Sequence, residues 1–442
     1  MTDPTGDGRL TRRRFLGALG APAAVAAAAV LVPGRAARAL AAANALPVAV
    51  LPPAAAADDE DFWSAIAQAF TVDRSIINLN NGGVSPSPAV VQDAVKRRLD
   101  QSNNASAYQL FTVLQPQIEG PREKLARAWG VDPEEIAITR NSSESLQTCQ
   151  LGMDLQRGDE VLTTNQDYPR MLTTFRQRER RDGLVLKTIT LPVPAEDDDE
   201  IVRRFADAIT ERTRLILMCH MINLTGQILP VKRVVAMARE RGIPVVVDGA
   251  HALAHFEFQL PDLDCDYYGS SLHKWLCAPH GTGLLYVRRD KIAGLWPLMA
   301  APEKMAGDIR KFEEIGTHSM GPCLGISEAV DFHQRLGGAR KEARLVWLRD
   351  RWARRLLQND RVRLHTSLLP GKACGLATVE IQGLEPDRLA GWLWKQHHIL
   401  VTAIEHEEFR GIRVTPSVYT TPDEVDRFSD AMESALRDGL PA

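Results

Sequence analysis

Residues 243–251 read Ile-Pro-Val-Val-Val-Asp-Gly-Ala-His, and residues 268–276 read Tyr-Gly-Ser-Ser-Leu-His-Lys-Trp-Leu; these two stretches decide the fold. The first is a short, β-branched apolar run that ends at a carboxylate, which is typical of a strand buried in a parallel sheet. In open α/β sheets, ligands bind outside the carboxyl ends of the strands. The polar residues that follow these runs, Asp248, His251 and Lys274, are therefore the first candidates for a functional site.

Working outward, short β-rich runs alternate with amphipathic helical stretches from about Ile76 to Arg289. This alternation predicts an α/β fold with a doubly wound, mainly parallel sheet. The predicted strands are residues 135–139, 160–164, 185–191, 214–219, 243–247 and 283–288, with helices that include 143–153, 171–181 and 231–241. We therefore predict a large domain over residues 76–305.

The pattern changes beyond residue 305. Helical signals at residues 325–336 and 339–357 lead into predicted strands near 377–381 and 412–415. This order predicts a smaller C-terminal α+β domain over residues 306–442.

The composition is that of a soluble globular protein and gives no sign of nucleic-acid binding, a zinc site or a disulfide framework. Hydrophobic residues make up 45% of the chain and charged residues 25%, as in ordinary soluble globular proteins. The 53 Lys and Arg residues nearly balance 56 Asp and Glu residues, so no basic field would recruit nucleic acid. The 6 cysteines show no C-x-x-C spacing, which gives no indication of a zinc site or a disulfide framework. Small molecules are the expected partners.

The N-terminus has the order of parts of a twin-arginine export signal. Residues 11–16 read Thr-Arg-Arg-Arg-Phe-Leu, an alanine-rich uncharged stretch runs to Val32, and an A-x-A site lies at 37–39. We expect a signal peptide over residues 1–39, export by the twin-arginine machinery, and a periplasmic or secreted protein; an uncleaved anchor or a loose tail is the alternative. Residues 40–75 form a linker and N-terminal segment, alanine- and proline-rich up to about residue 57.

Asp248 ends an apolar run, and two interpretations are open. The carboxylate could cap the next helix, or it could bind the ring nitrogen of pyridoxal 5'-phosphate (PLP) and keep that nitrogen protonated. A protonated ring is what makes this cofactor an electron sink.

Lys274 stands among Leu272, Trp275 and Leu276. Lysine side chains usually end in water, so a surface lysine that buries only its stem is the alternative interpretation. In an apolar setting, desolvation lowers the lysine pKa and frees the neutral amine that forms a Schiff base. The motif therefore indicates Lys274 as an attachment point for the cofactor.

Two further polar clusters follow predicted strands. Arg140-Asn-Ser-Ser-Glu-Ser opens a helix, where Ser142 and Ser143 could hold a phosphate at the free N–H groups or simply cap the helix. Residues 163–169 read Thr-Thr-Asn-Gln-Asp-Tyr-Pro, which offers Tyr168 as a ring to lie on the face of the cofactor.

With these motifs the sequence resembles the class V aminotransferase family of fold type I PLP enzymes, and within it the isopenicillin N epimerase-like branch. Ser-x-His-Lys with an upstream Asp-x-Ala-His carries the resemblance, which extends from Asn78 to Tyr419. It implies that Asp248 pairs with the ring nitrogen and that Lys274 forms the Schiff base. The other implied site residues are Asn223 and His251 near the phenolic oxygen, Ser142, Ser143, Ser271 and His273 at the phosphate, Thr317 reaching a phosphate across a dimer interface, and Arg413 and Asn81 on the substrate side.

The resemblance implies a homodimer with shared active sites that acts at the α-carbon of an amino-acid-like substrate. Arg413 would bind the carboxylate, and the released Lys274 would act as general base. Epimerase-like or lyase chemistry is favoured because both regenerate the cofactor unaided; a class V aminotransferase and a non-catalytic PLP- or amine-binding protein are the alternatives. Residues 396–413 contain no cysteine, and Cys374 lacks the surrounding motif, from which we expect that the enzyme is not a cysteine desulfurase.

Overall fold

The computed structural model of the protein describes residues 52–441. The predicted signal peptide and the first part of the linker lie outside the described residues. Over the described range, no helix has both the length and the apolar character needed to cross a bilayer.

The end of the predicted linker is packed against the protein. Pro53–Ala56 forms a short helix, and Ala56 is buried. The Trp63 indole N–H donates to the Ala56 carbonyl at 2.6 Å, and Arg344 donates to the Ala57 carbonyl at 3.0 Å. Small alanine side chains allow this close approach, so Ala56 and Ala57 are packed against the protein. The assignment of residues 40–75 to a linker and N-terminal segment stays a prediction.

The strands are short and are numbered along the described chain. They are β1 (Ile77–Asn78), β2 (Ile136–Thr139), β3 (Glu160–Thr164), β4 (Val185–Ile189), β5 (Thr213–Cys219), β6 (Val245–Asp248), β7 (Tyr267–Ser271), β8 (Gly283–Val287), β9 (Val362–Leu364), β10 (Ala377–Ile381), β11 (Ile399–Leu400), β12 (Thr402–Glu405) and β13 (Arg410–Val414).

The α-helices are numbered in the same way. They are α1 (Pro53–Ala56), α2 (Glu60–Ala67), α3 (Ala89–Asn104), α4 (Glu119–Trp129), α5 (Ser142–Gly152), α6 (Pro169–Asp182), α7 (Asp198–Ala208), α8 (Val231–Arg239), α9 (Leu260–Leu263), α10 (Arg289–Ile292), α11 (Met320–Leu336), α12 (Gly338–Leu356), α13 (Pro386–His397) and α14 (Pro422–Asp438).

Seven strands form the large sheet in the order β2-β8-β7-β6-β5-β3-β4. All neighbouring pairs are parallel except those made by β8, which runs antiparallel to β2 and β7. The predicted doubly wound, mainly parallel fold is confirmed. Strand β7 was not predicted, because Tyr-Tyr-Gly-Ser-Ser lacks the aliphatic run of its neighbours although all five residues are buried.

The C-terminal region contains a four-stranded antiparallel sheet in the order β12-β13-β10-β9. Strand β10 begins and ends at the predicted residues, whereas β9, β12 and the helices α13 and α14 were not predicted. The short strand β1 pairs with β11, so the first residues of the predicted large domain are joined to the small one.

Helix α11 packs with the large domain, although it follows the predicted boundary after residue 305. Its residues Ile326, Ala329 and Val330 belong to the same core as the central strands β5 and β6. The side chains of α12 from Leu348 onward belong instead to the core of the smaller domain. The domain limits stay a prediction, but packing places the change of core inside α12.

Candidate active site

A cavity of about 440 Å³ opens at the carboxyl ends of the central strands, where the C-terminal domain meets the sheet. This volume is in the usual range for small-molecule sites. Every predicted site residue lines the cavity except Asn81 and Thr317; the lining residues from the prediction are Ser142, Ser143, Tyr168, Asn223, Asp248, His251, Ser271, His273, Lys274 and Arg413.

Asp248 is the last residue of β6 and is 4% exposed. Burial raises the pKa of its carboxyl group to about 6, while a hydrogen bond from the Ala250 amide to Oδ1, at 2.9 Å, opposes that rise. The next residue must be glycine, because a Cβ on Gly249 would stand 2.0 Å from the Tyr268 ring. The turn therefore presents a buried carboxylate that would gain from a cationic partner.

Lys274 lies in the turn after β7, with its Nζ 2.9 Å from His251 Nε2. Burial lowers the pKa of the lysine to about 8, and the same burial holds the pKa of His251 well below its usual range. The imidazole therefore stays neutral, and its Nε2 can accept a hydrogen bond from Lys274 Nζ. With its pKa lowered to about 8, a fraction of the lysine is already uncharged near neutral pH.

The phosphate cradle predicted from Ser142 and Ser143 is built at the start of α5. The Ser271 hydroxyl accepts from the Ser142 amide at 2.9 Å and donates to the Ser142 hydroxyl at 2.8 Å, which fixes the helix start against β7. Asn141 caps the helix by accepting from the Glu144 amide. The helix cap is therefore Asn141, one residue before the predicted Ser142. Both Ser142 and Ser143 line the cavity.

Arg413 lies on β13 and is 7% exposed. Its guanidinium donates to the Asn223 carbonyl at 2.9 Å and to Asn80 Oδ1 at 3.2 Å. Thr402 also donates to Asn80 Oδ1 at 2.7 Å. Burial without a carboxylate partner lowers the pKa of Arg413 to about 10, so the site favours an anion that would offset this cost.

Contrary to the prediction from the sequence, the structure does not place Asn81 where it could bind the substrate. Its side chain is fully buried, with Nδ2 donating to the carbonyls of Asn78 and Thr415 and Oδ1 accepting from Tyr419 at 2.6 Å. These bonds hold the loop against β13 and leave no atom for a substrate. Asn80, one residue earlier, contacts Arg413 instead; sequence gave no signal for choosing between neighbouring asparagines.

Thr317 lies outside the cavity. It is exposed and lines a different surface depression with Phe111 and Met320. A single copy of the chain therefore does not bring Thr317 to the candidate site, and the predicted role across a dimer interface stays a prediction.

Cys219 and Asp167 form a buried group beside Asp248 that the sequence did not indicate. Cys219 is paired with Asp248 in the register of β5 and β6, and it lines the cavity. Asp167 accepts hydrogen bonds from Thr163 and Thr164. Burial, together with the nearby carboxylates, raises the pKa of the Cys219 thiol well above its usual range.

The lining residues fit PLP. Within residues 52–441, three buried atoms of cavity-lining residues, Asn223 Oδ1, His251 Nδ1 and Arg413 Nε, have no hydrogen-bond partner, and a polar ligand would supply partners. A lysine with lowered pKa, a carboxylate at a strand end and a helix N-terminus with two serines match the cofactor's aldehyde, ring nitrogen and phosphate.

The comparisons with known proteins agree with this geometry. A family model described as aminotransferase class-V matches residues 77–428. The isopenicillin N epimerase of Streptomyces clavuligerus is 31% identical over 84% of this chain and 98% of its own. A probable cysteine desulfurase of Pseudomonas aeruginosa is 30% identical over 69% of this chain and 79% of its own. A solved cysteine desulfurase of Thermococcus onnurineus has the same fold, with a TM-score of 0.74 at 24% identity, covering 86% of this chain and 98% of its own.

The exclusion of cysteine desulfurase chemistry is therefore wrong. Relatives with that name match most of this chain, and a solved desulfurase shares its fold. The argument from residues 396–413 concerned one loop, whereas Cys219 reaches the cavity from a different strand. Absence of a cysteine from a single loop does not exclude a class of reaction.

Proposed function

Because this chain belongs to the aminotransferase class V family, we propose that it is a PLP-dependent enzyme that removes and returns a proton at the α-carbon of an amino-acid-like substrate. Epimerase-like chemistry is our first choice. The observation that carries the proposal is the placement of Lys274, Asp248 and Arg413 in the wall of one cavity. Similarity to the Streptomyces epimerase over nearly its whole length supports the choice of reaction.

When bound, PLP supplies an electron sink for the negative charge that develops when the α-proton leaves. Asp248 would hold the proton on the ring nitrogen, because a buried carboxylate favours a cation beside it. Ser142, Ser143, Ser271 and His273 would hold the phosphate.

Arg413 orients the substrate by binding its α-carboxylate. Its Nη atoms are fixed by the Asn223 carbonyl and Asn80, so the guanidinium is already positioned before substrate enters. This fixed direction holds the α-carbon relative to Lys274.

Lys274 moves the proton. With its pKa lowered to about 8, the free amine of Lys274 is neutral over much of the range above that pH and could accept the α-proton at Nζ. His251 Nε2, 2.9 Å away, keeps the amine in place through a hydrogen bond.

The test of the proposed reaction uses the holoenzyme in deuterated water with a panel of L- and D-amino acids. We expect deuterium at the α-position of both enantiomers and no keto acid, because a proton returned from the enzyme carries solvent deuterium. Release of keto acid without an acceptor would instead identify a lyase, and a requirement for added keto acid an aminotransferase. Alanine and sulfane sulfur from cysteine would identify a desulfurase.

We also propose that the enzyme is a homodimer in which Thr317 of a second copy reaches the phosphate. The exposure of Thr317 outside the cavity supports this arrangement, since a free threonine there is available to a neighbour.

Export by the twin-arginine route is the further part of the proposal, supported by residues 11–16 and 37–39. Changing Arg12 and Arg13 together to lysine should leave the protein in the cytoplasm, because the route depends on that pair. Cell fractionation measures the result, with Arg9→Lys as the control outside the motif. Undiminished recovery of the double variant from the periplasm would contradict the assignment.

A further inference from the structure

We propose that Arg170 selects amino-acid substrates that carry a second anionic group, a carboxylate or similar acid on the side chain. The inference rests on the proposed function, because it concerns the same cavity and assumes that Arg413 binds the α-carboxylate. It adds the class of side chain that the site prefers.

Arg170 lines the cavity, and its guanidinium has no hydrogen-bond or ion-pair partner within the described part of the chain. It is the second residue of α6, it is exposed, and it lines the same cavity as Lys274 and Arg413. Within residues 52–441 its guanidinium makes no hydrogen bond or ion pair, although its backbone carbonyl accepts from the Thr174 hydroxyl at 3.0 Å. On the same helix, Arg178 is paired with Asp182 at 2.7 Å.

The other charged groups of the wall already have roles. Asp248 is matched to the ring nitrogen, Lys274 to the cofactor's aldehyde and Arg413 to the α-carboxylate. Arg170 is therefore the charged residue of this wall that neither the cofactor nor the common part of an amino acid uses.

The sheet order places Arg170 on the substrate side of the cavity. Helix α6 follows β3, which is adjacent to β5, and Asn223, whose carbonyl binds Arg413, follows β5. Ser271 of the phosphate cradle lies on β7, three strands from β3, which is about 14 Å at the usual strand spacing. Tyr168, the residue directly before α6, lines the same cavity as Arg413, which places the start of α6 at that part of the wall.

No ion pair joins Arg170 to an acidic residue within residues 52–441, those of the β12–β13 loop included. Glu407 accepts from Asn165 at 2.7 Å, and Glu408 accepts from Asn165 and Gln166. These carboxylates hold the β12–β13 loop to the large domain. The guanidinium of Arg170 stays available for a charge-assisted hydrogen bond to a ligand.

The experiment compares substrates that differ only in charge. Calorimetry on the holoenzyme should give dissociation constants for L-glutamate against L-glutamine, and for L-2-aminoadipate against L-norleucine. We expect the parent to bind the acidic member of each pair at least about tenfold more tightly. Arg170→Gln should bring the ratio close to one, and Arg170→Glu should invert it. Arg176→Gln, at an exposed arginine of the same helix, should keep the parent's ratio.

Three results would overturn the inference. The parent could show no preference for acidic members, or Arg170→Gln could retain the preference. Arg170→Gln could also weaken the binding of PLP to the apo-protein with the preference unchanged, in which case Arg170 serves the cofactor's phosphate. If no amino acid binds at all, the proposed function fails and the inference falls with it; tight binding of neutral amino acids alone overturns only the role of Arg170.

Discussion

Lys274→Ala abolishes the borohydride-reducible bond between the protein and PLP and lowers the rate of α-proton exchange by about 1000-fold or more. The reason is that one amine performs both tasks: it attaches the cofactor and then moves the α-proton. The variant should still bind PLP through Asp248 and the phosphate cradle, because neither contacts the lysine covalently. Absorption after borohydride treatment and exchange of deuterium into substrate measure the two effects.

Lys341 offers the matched control for the attachment site. It is also a buried lysine, its pKa is lowered by burial, and its ammonium donates to the Trp275 carbonyl, but it does not line the cavity. Peptide mapping of the reduced parent should find the adduct on Lys274 and none on Lys341. If Lys274→Ala were trapped as efficiently as the parent, the attachment point would lie elsewhere.

Arg413→Lys should weaken binding of amino-acid substrates by roughly 10–100-fold and slow the reaction as well. A lysine keeps the charge but cannot reproduce the planar pair of donors, so the α-carbon is no longer held over Lys274. The spectral titration of the holoenzyme gives the dissociation constant, and single-turnover rates give the chemical step.

Arg410→Lys is the control for that change. Arg410 lies on the same strand, and its side chain faces Glu385 outside the cavity at 3.0 Å. We expect parent-like binding from it. A carboxylate-free amine that reacts equally well with the parent and with Arg413→Lys would contradict an amino-acid substrate.

Much of the fold and cofactor site could be predicted because the information is local. An apolar run fixes a strand, and the polar residue at its end is carried to the sheet edge with it, as at Asp248 and Ser142. Strand β7 was not predicted because glycine and serine are not typical strand residues. Its burial results from pairing with β6 on one side and β8 on the other.

The sequence alone was enough to predict Lys274, Asp248 and the serines at the start of α5 as cofactor residues, since each lies within a few residues of a strand. The structure places all of them in the wall of one cavity. The tertiary structure alone decided that Asn80 rather than Asn81 contacts Arg413, that Thr317 lies outside the cavity, and that Arg170 lies on the substrate side. These facts depend on contacts between residues hundreds of positions apart, such as Asn81 with Thr415. A local sequence pattern cannot show which residue of a loop such a distant contact will bury. Only the folded chain therefore shows that Asn80 contacts Arg413 while Asn81 holds the loop in place.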